Sequence, residues 1–210
     1  MTSAGTVERL ELLDWKRRIF ELYSDVREAG DPETAWEHWR AVRDEMFATH
    51  GRSPIPPAAR GGFSQLPFYD YDRRARVTAE VVDVTPEHYD IATSGEVEES
   101  YGFTRFAVGR FDLFDERLEL ELYWLDGYGG GLFLPFRDGT SGTETYGAGR
   151  YLFDTVKGAD LGMEGDRLVL DFNFSYNPSC AYDPKWVCPL APYPNRLQTP
   201  IRAGERYHSG

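Results

Sequence analysis

Apolar residues recur along this chain with two different periods, and the change falls near Phe68. Before it the spacing is helical. Leu12, Trp15, Ile19, Leu22 and Val26 advance in steps of three and four, which predicts a helix over residues 6–29 with one apolar stripe. Gly30 ends that helix. Asp31-Pro32 then opens a second one, with a capping aspartate and proline at the first helical position. Trp36, Trp39, Val42 and Met46 supply its apolar side and Gly51 closes it, which leaves His38 on the surface or in helix packing. The two helices are expected to pack as a hairpin on a larger body; the alternative is an arm that joins two copies into a homodimer. Ser53–Gly62, rich in proline, leads onward, with one helical turn expected at Pro57–Arg60.

From Phe68 the period is two. Arg76–Asp83 alternates Val77, Ala79 and Val81 with Thr78, Glu80 and Val82, and His88–Thr93 reads as a second strand turned by Ser94-Gly95. Gly102–Leu113 and Leu118–Trp124 predict a hairpin around Asp115-Glu116. Its core face carries Leu118, Leu120, Leu122 and Trp124, with Glu119 and Glu121 opposite. Leu132–Phe136, Tyr151–Phe153, Arg167–Phe172 and a last strand at Thr199–Ala203 continue the series. Two helices followed by roughly eight short strands predict an α+β fold, an antiparallel β-barrel or rolled β-sheet with an N-terminal pair of helices, and not βαβ units. No repeat or shift of composition divides the chain. A single domain over 1–210 is expected, with 1–52 as its helical N-terminal segment and 63–210 as its β-rich core.

Composition narrows the function classes. An aromatic content of 15% in a chain of 210 residues suits a strand-rich globular domain. A net charge of −12 argues against nucleic acid or an anionic membrane as partner, since both need clustered cations. No apolar run approaches the roughly 20 residues of a membrane span. The N-terminus is charged within its first turns and is not read as a secretory signal, so the cytoplasm is the expected location. Cys180 and Cys188 are then expected to stay reduced.

Two stretches carry the candidate chemistry. Leu168–Arg202 holds both cysteines and six of the thirteen prolines, yet it lacks a helical or strand period beyond its first residues. Phe172, Phe174, Tyr176, Tyr182, Trp186 and Tyr193 argue that it is an ordered loop, because disordered segments are poor in aromatics. Arg137–Arg150, RDGTSGTETYGAGR, has four glycines in fourteen residues, which permit tight turns and close approach of backbone to a ligand. Arg137 and Arg150 suit an anionic group; the plainer reading is a polar hairpin loop with an Arg–Glu surface pair. No dinucleotide or P-loop pattern occurs, and no cofactor is assigned.

Cys180 as a nucleophile needs a base and a lowered pKa, and His50, His88 and His208 are its distant candidates. The alternative is a buried thiol packed among Tyr176, Tyr182 and Trp186. A metal site is not expected: the cysteines are eight apart with no second pair, and no His-x₃-His occurs. Asp171 and Asn173 share one face at a strand end and could floor a pocket beneath Glu144, Tyr146 and Arg150. They are balanced by a reading in which Asp171 and Asn177 only order the loop through Asx turns.

Three segments, RDEMFATHGRSPIPPAAR, LFLPFRDGTSGTETYGAGRYL and LDFNFSYNPSCAYDPKWVCPLAPYPNRLQTPIRAGER, resemble a bacterial and archaeal family known as DUF1684, over about residue 35 to the C-terminus. The resemblance implies no activity; it implies that the glycine-rich loop and the Asn-Pro/Cys loop belong together. Members usually carry Pro-Glu-Asn where this chain has Tyr193-Pro194-Asn195, so a mechanism built on that glutamate does not carry over.

The expected function is binding of a small polar or anionic metabolite between loops 137–150 and 171–197, through Arg137, Glu144, Tyr146, Arg150, Asn173, Tyr176, Asn177 and Asn195. The alternative is a hydrolase or transferase in the same pocket, with Cys180 as nucleophile or Glu144, Asp171 and Tyr146 as acid–base groups, although no nucleophile elbow or triad order is present.

Overall fold

A computed structural model describes residues 3–95 and 100–207. Helix α1 spans Ala4–Glu28 behind Ser3, whose hydroxyl accepts the Thr6 N–H. Helix α2 spans Pro32–Thr49, and the Asp31 carboxylate accepts the N–H and the hydroxyl of Thr34 at 2.9 Å each. The start expected from Asp31-Pro32 therefore forms, because the side chain satisfies an amide that the helix cannot. A single turn, α3, follows at Pro57–Arg60. The stripe of α1 is buried at Ile19 and Leu22 and exposed at Leu12. Helix α2 sits deeper. Trp39 and Met46 are fully buried, and the Trp39 ring meets Phe68 and Phe174 at centroid distances of 5.5 and 5.2 Å. The Trp36 indole N–H donates to the Asn173 carbonyl at 2.9 Å and ties the helix to the far end of the chain.

Among the described residues seven strands follow: β1 Arg76–Ala92, β2 Ser100–Leu113, β3 Glu116–Leu125, β4 Leu132–Phe136, β5 Arg150–Asp154, β6 Met163–Glu164 and β7 Arg167–Asp171. They form one antiparallel sheet in the order β5-β4-β3-β2-β1-β7-β6. The two strands expected at Arg76–Asp83 and His88–Thr93 are a single long strand, irregular between Asp83 and Glu87. Pro86 lies in that irregularity, where a residue without an N–H interrupts the ladder without ending it. β1 is shared. Arg76–Ala79 pair with β7 and Glu80–Ala92 with β2, so the sheet rolls about this strand. Its edge strands β5 and β6 do not pair with each other, so the sheet is open and not a barrel.

The β2–β3 turn is Phe114–Asp115, with φ of 51° and 64°, one residue earlier than turn chemistry suggests. Farther along the same pair, β2 has one extra residue, Phe106, between the rungs Arg105↔Tyr123 and Ala107↔Leu122. An extra residue on one strand exchanges which of its side chains face each side. Before the bulge, Phe111 of β2 and Leu118, Leu120 and Leu122 of β3 pack in or against the main core under the helices. Beyond it, Phe103 and Tyr123 join Ile91, Phe133 and Tyr151 in a second core on the other face. Trp124 continues the leucine stripe past the bulge and is 47% exposed, which corrects its expected place in the core.

Thr199–Ala203 is not a strand of the sheet. Gln198–Thr199 is a bend, the Thr199 carbonyl accepts the Gly139 amide at 3.1 Å, and the carbonyls of Ile201 and Ala203 are taken by the Arg150 side chain. No helix among the described residues is long and apolar enough to cross a membrane.

Candidate functional site

The two loops singled out above are joined along their length. Tyr151 and Tyr176 exchange backbone hydrogen bonds at 2.9 and 3.1 Å. The Arg137 amide donates to the Asn195 carbonyl at 2.8 Å, and the Leu197 amide to the Arg137 carbonyl at 2.9 Å. Asn195 is fully buried. Its Oδ1 accepts the Glu121 amide at 2.8 Å, and its Nδ2 donates to the carbonyls of Glu121 and Pro135 at 3.0 and 2.9 Å. Such full use of a side-chain amide makes Asn195 a rivet between β3, β4 and the loop.

Arg150 is equally committed. It is 1% exposed, and its terminal nitrogens donate to the carbonyls of Ile201 (3.0 Å), Ala203 and Glu205 (3.3 Å) and to Asp138 Oδ2 (2.6 Å). Asp138 Oδ1 accepts the amide and hydroxyl of Thr140 and so shapes the glycine-rich loop. Arg150 thus stands in for a strand neighbour of residues 201–205. Gly139 has the same logic, since a Cβ there would collide with the Gln198 carbonyl.

A second buried pair holds the same segment from the other side. Arg43 of α2 donates to Glu205 Oε2 at 3.1 Å and lies over the rings of Trp39, Phe47 and Tyr176. Glu205 also accepts the Tyr182 hydroxyl and the Asn177 amide, the latter at 3.0 Å. Asn177 donates its Nδ2 to the Arg206 carbonyl at 3.0 Å and makes no Asx turn, while its buried Oδ1 has no partner in the protein.

Asp171 lies elsewhere. Its Oδ1 accepts the Asn173 amide (3.0 Å) and Nδ2 (2.8 Å), an Asx turn, and its Oδ2 accepts the Tyr71 hydroxyl at 3.2 Å. Burial pushes its carboxyl up to about 6, against the hydrogen bonds from Asn173 and Tyr71 and the charge of Arg76. It lines a cleft of ≈ 330 Å³ between the α1–α2 turn and β6–β7. Asn173 is consumed in the wall, exchanging hydrogen bonds with the Asp72 backbone. Glu144 shares no partner with Asp171: it is held bidentately by Arg202 and accepts the Tyr69 hydroxyl at 3.0 Å, which keeps it below the usual glutamate range. The residues expected to converge on one pocket are distributed among separate sites.

Tyr146 is where the glycine-rich loop reaches the cysteines. Its Oη lies 3.5 Å from the Cys180 carbonyl oxygen and 3.8 Å from Cys180 Sγ. Cys180 and Cys188 are both free and buried. The neighbouring Cys188 side chain, with the Tyr146 hydroxyl, holds the Cys180 thiol below the ordinary thiol range in spite of burial, while Cys188 is pushed upward by Cys180 and by burial. His208 lies outside the described residues.

Beside Cys188 is a cavity of ≈ 90 Å³, walled by α1 (Trp15, Ile19, Tyr23), α2 (Arg43, Phe47), Pro54, Tyr151, Asp154, Lys157, Ala159 and Tyr176–Ser179. The Tyr23 hydroxyl neighbours the Trp39 indole N–H, but neither forms a hydrogen bond of proper geometry. Across the Asp154–Lys157 ion pair, 2.9 Å long, an apolar cavity of ≈ 150 Å³ is lined by Tyr101, Phe103, Leu125, Phe133 and Val187. Of the residues expected to bind ligand, Tyr176 and Asn177 reach this place. Tyr23, Arg43, Asp154 and Lys157 were not foreseen. Arg43 alone left a signal: it stands four residues after Trp39 and three before Met46, a cation on an apolar stripe.

Comparison with known proteins adds the following. The sequence model of a protein family of unknown function, DUF1684, matches residues 61–206. No curated protein matches. The chain is similar to a solution NMR structure of an uncharacterized protein from Haloarcula marismortui, with 36% identity and a TM-score of 0.59 over 83% of this chain and 93% of that one.

Proposed function

This chain belongs to the DUF1684 family, and on that footing we propose that it binds a small polar or anionic molecule in the cavity between the N-terminal helices, β5 and the Asn-Pro/Cys loop. The observation that carries the reading is that two residues lining the cavity, Tyr23 and Asn177, each hold a buried polar atom, Oη and Oδ1, that finds no partner in the protein. Each such atom costs about 1–3 kcal/mol of desolvation, which a ligand bearing both an acceptor and a donor would recover. Arg43 is balanced by Glu205 and Lys157 by Asp154, so the site favours a compact acid or amide over a multiply charged anion. The adjoining apolar cavity extends the site for a short hydrocarbon or aromatic tail.

A thermal-shift screen of small carboxylic acids and amides with apolar tails tests this. A binder should raise the melting temperature of the wild type, and Tyr23→Phe should weaken its affinity by about tenfold, one lost hydrogen bond, with the fold unchanged. If no such compound stabilises the wild type, or Tyr23→Phe binds equally well, the proposal fails. The hydrolase or transferase reading draws on one observation, the Tyr146 hydroxyl 3.8 Å from the Cys180 sulfur. It calls for a covalent adduct on Cys180 after reaction with activated esters.

A further inference from the structure

We infer that Arg206 anchors a second ligand site, for a small monocarboxylate with an aromatic or branched aliphatic tail, in a cavity of ≈ 260 Å³ that shares only Asn177 with the one proposed above. A carboxylate needs an uncommitted cation. The cations that line the cavities already described are spent on acids of the chain: Arg43 on Glu205, Lys157 on Asp154, Arg27 on Asp160 and Arg76 on Glu164. Arg206 is not. Among the described residues its guanidinium donates no hydrogen bond and forms no ion pair, and its Nε is buried without a partner. The carboxylate that its charge reaches, Glu144, is taken bidentately by Arg202. Glu205, beside it in the chain and in the cavity wall, gives its oxygens to Arg43, Tyr182 and the Asn177 amide.

Local structure sets the place of this guanidinium. The Arg206 amide donates to the Pro67 carbonyl at 2.8 Å and the Tyr69 amide to the Gly204 carbonyl at 3.1 Å, so residues 204–206 lie against 67–69. Arg206 Cζ then sits 5.1 Å from the centroid of the Tyr69 ring. A guanidinium held over a ring is fixed by its face and keeps the N–H groups of its edge, and a carboxylate meets that fork with two parallel hydrogen bonds.

The rest of the lining suits the two ends of such a ligand. Ile55 and Leu66, both buried, form an apolar side with Phe63 and Tyr182. The Tyr207 hydroxyl and the Gln65 amide also line the cavity, and neither has a hydrogen-bond partner among the described residues. Arg206 is the one cation of this lining, which favours a single carboxylate over a phosphate or a dicarboxylate. The volume lies below the roughly 300–1,000 Å³ of drug-sized sites, so the tail is no larger than one ring or a short branched chain.

The full chain, labelled for NMR, is titrated at low salt with benzoate, isovalerate and the neutral isostere benzamide. Both carboxylates should bind, and benzamide at least about tenfold more weakly than benzoate. The Arg206 Nε–H resonance and the backbone amides of Leu66 and Tyr207 should shift most. Arg206→Met should weaken benzoate by at least about tenfold and Arg206→Lys by less, because lysine keeps the charge and loses the fork. Tyr23→Phe, which probes the other cavity, should leave this binding unchanged, so the two sites stand or fall separately. Carboxylates that do not bind, benzamide that binds as well as benzoate, or shifts gathered around Tyr23 and Tyr151 would overturn the inference. The wild-type titrations decide it even if a variant does not fold.

Discussion

Replacing Arg150 by alanine separates a ligand arginine from one that holds the fold. A ligand arginine facing a pocket would leave stability nearly unchanged when removed, as surface substitutions do within about 0.5 kcal/mol. Here the loss is structural. Asp138 Oδ2 loses its cation, and the carbonyls of Ile201, Ala203 and Glu205 lose their donor, all in a site where Arg150 and Asp138 side chains are 1% exposed. Breaking a buried pair by removing one partner costs about 3–5 kcal/mol, because the other charge stays buried alone. Set against a typical total of about 5–15 kcal/mol, this is a large fraction of stability. For a chain of this size it corresponds to roughly 6–20 °C in melting temperature. Urea titration gives the free energy from the midpoint shift at constant slope. The double variant Arg150→Met with Asp138→Asn should lose less than the two single changes summed, since it leaves no unpaired charge. An Arg150→Ala protein within about 0.5 kcal/mol of wild type would refute the reasoning.

Two further outcomes follow from the geometry. The folded-state carboxyl of Asp171 lies at about 6, above its ordinary 3.8, so between these values the folded chain binds more protons than the unfolded one. Stability from this group is therefore present at low pH and lost as pH rises through about 4 to 6, on the order of 2–3 kcal/mol. Asp171→Asn should remove that slope and gain on the wild type toward pH 7; a difference that does not vary with pH from 4.5 to 7 would exclude it. Trp124→Ala should cost under about 1 kcal/mol in urea, against about 3–5 for Trp39→Ala, and acrylamide should quench Trp124 readily. Equal losses would contradict the switch of faces at Phe106.

Local chemistry was legible in the chain, and distant pairing was not. Asp31-Pro32 announces α2 because a cap acts within a turn. The period of two announces the strands because each residue declares its own face. The bulge at Phe106 is silent: alternation continues in β3, and only the partner strand carries the extra residue, so Trp124 looked like core. Arg76–Asp83 and His88–Thr93 read as two strands because alternation lapses between them, and the lapse is an interruption within one. Arg150 read as an anion holder since its carbonyl partners lie more than fifty residues on, in a segment whose alternation imitates a strand. The signature loops do belong together, through Asn195 and the Tyr151–Tyr176 pairing. The cavity beside them draws its wall from Tyr23 and Arg43 of the helices, a convergence that no local pattern marks.

Residues 201–205 matter for the order of events as well as for the finished fold. Arg43 precedes its carboxylate by 162 residues, and Arg150 precedes the Ala203 carbonyl by 53. Synthesis delivers the cation of α2 long before Glu205 exists. A nascent chain that ends short of that residue can seat α2 on the sheet only by burying an unpaired guanidinium. Docking of the helix is expected to wait for the late segment, whose few residues then lock helix, loop and sheet together. A chain truncated before Glu205 should display α2 open to proteases, and the full chain should protect it.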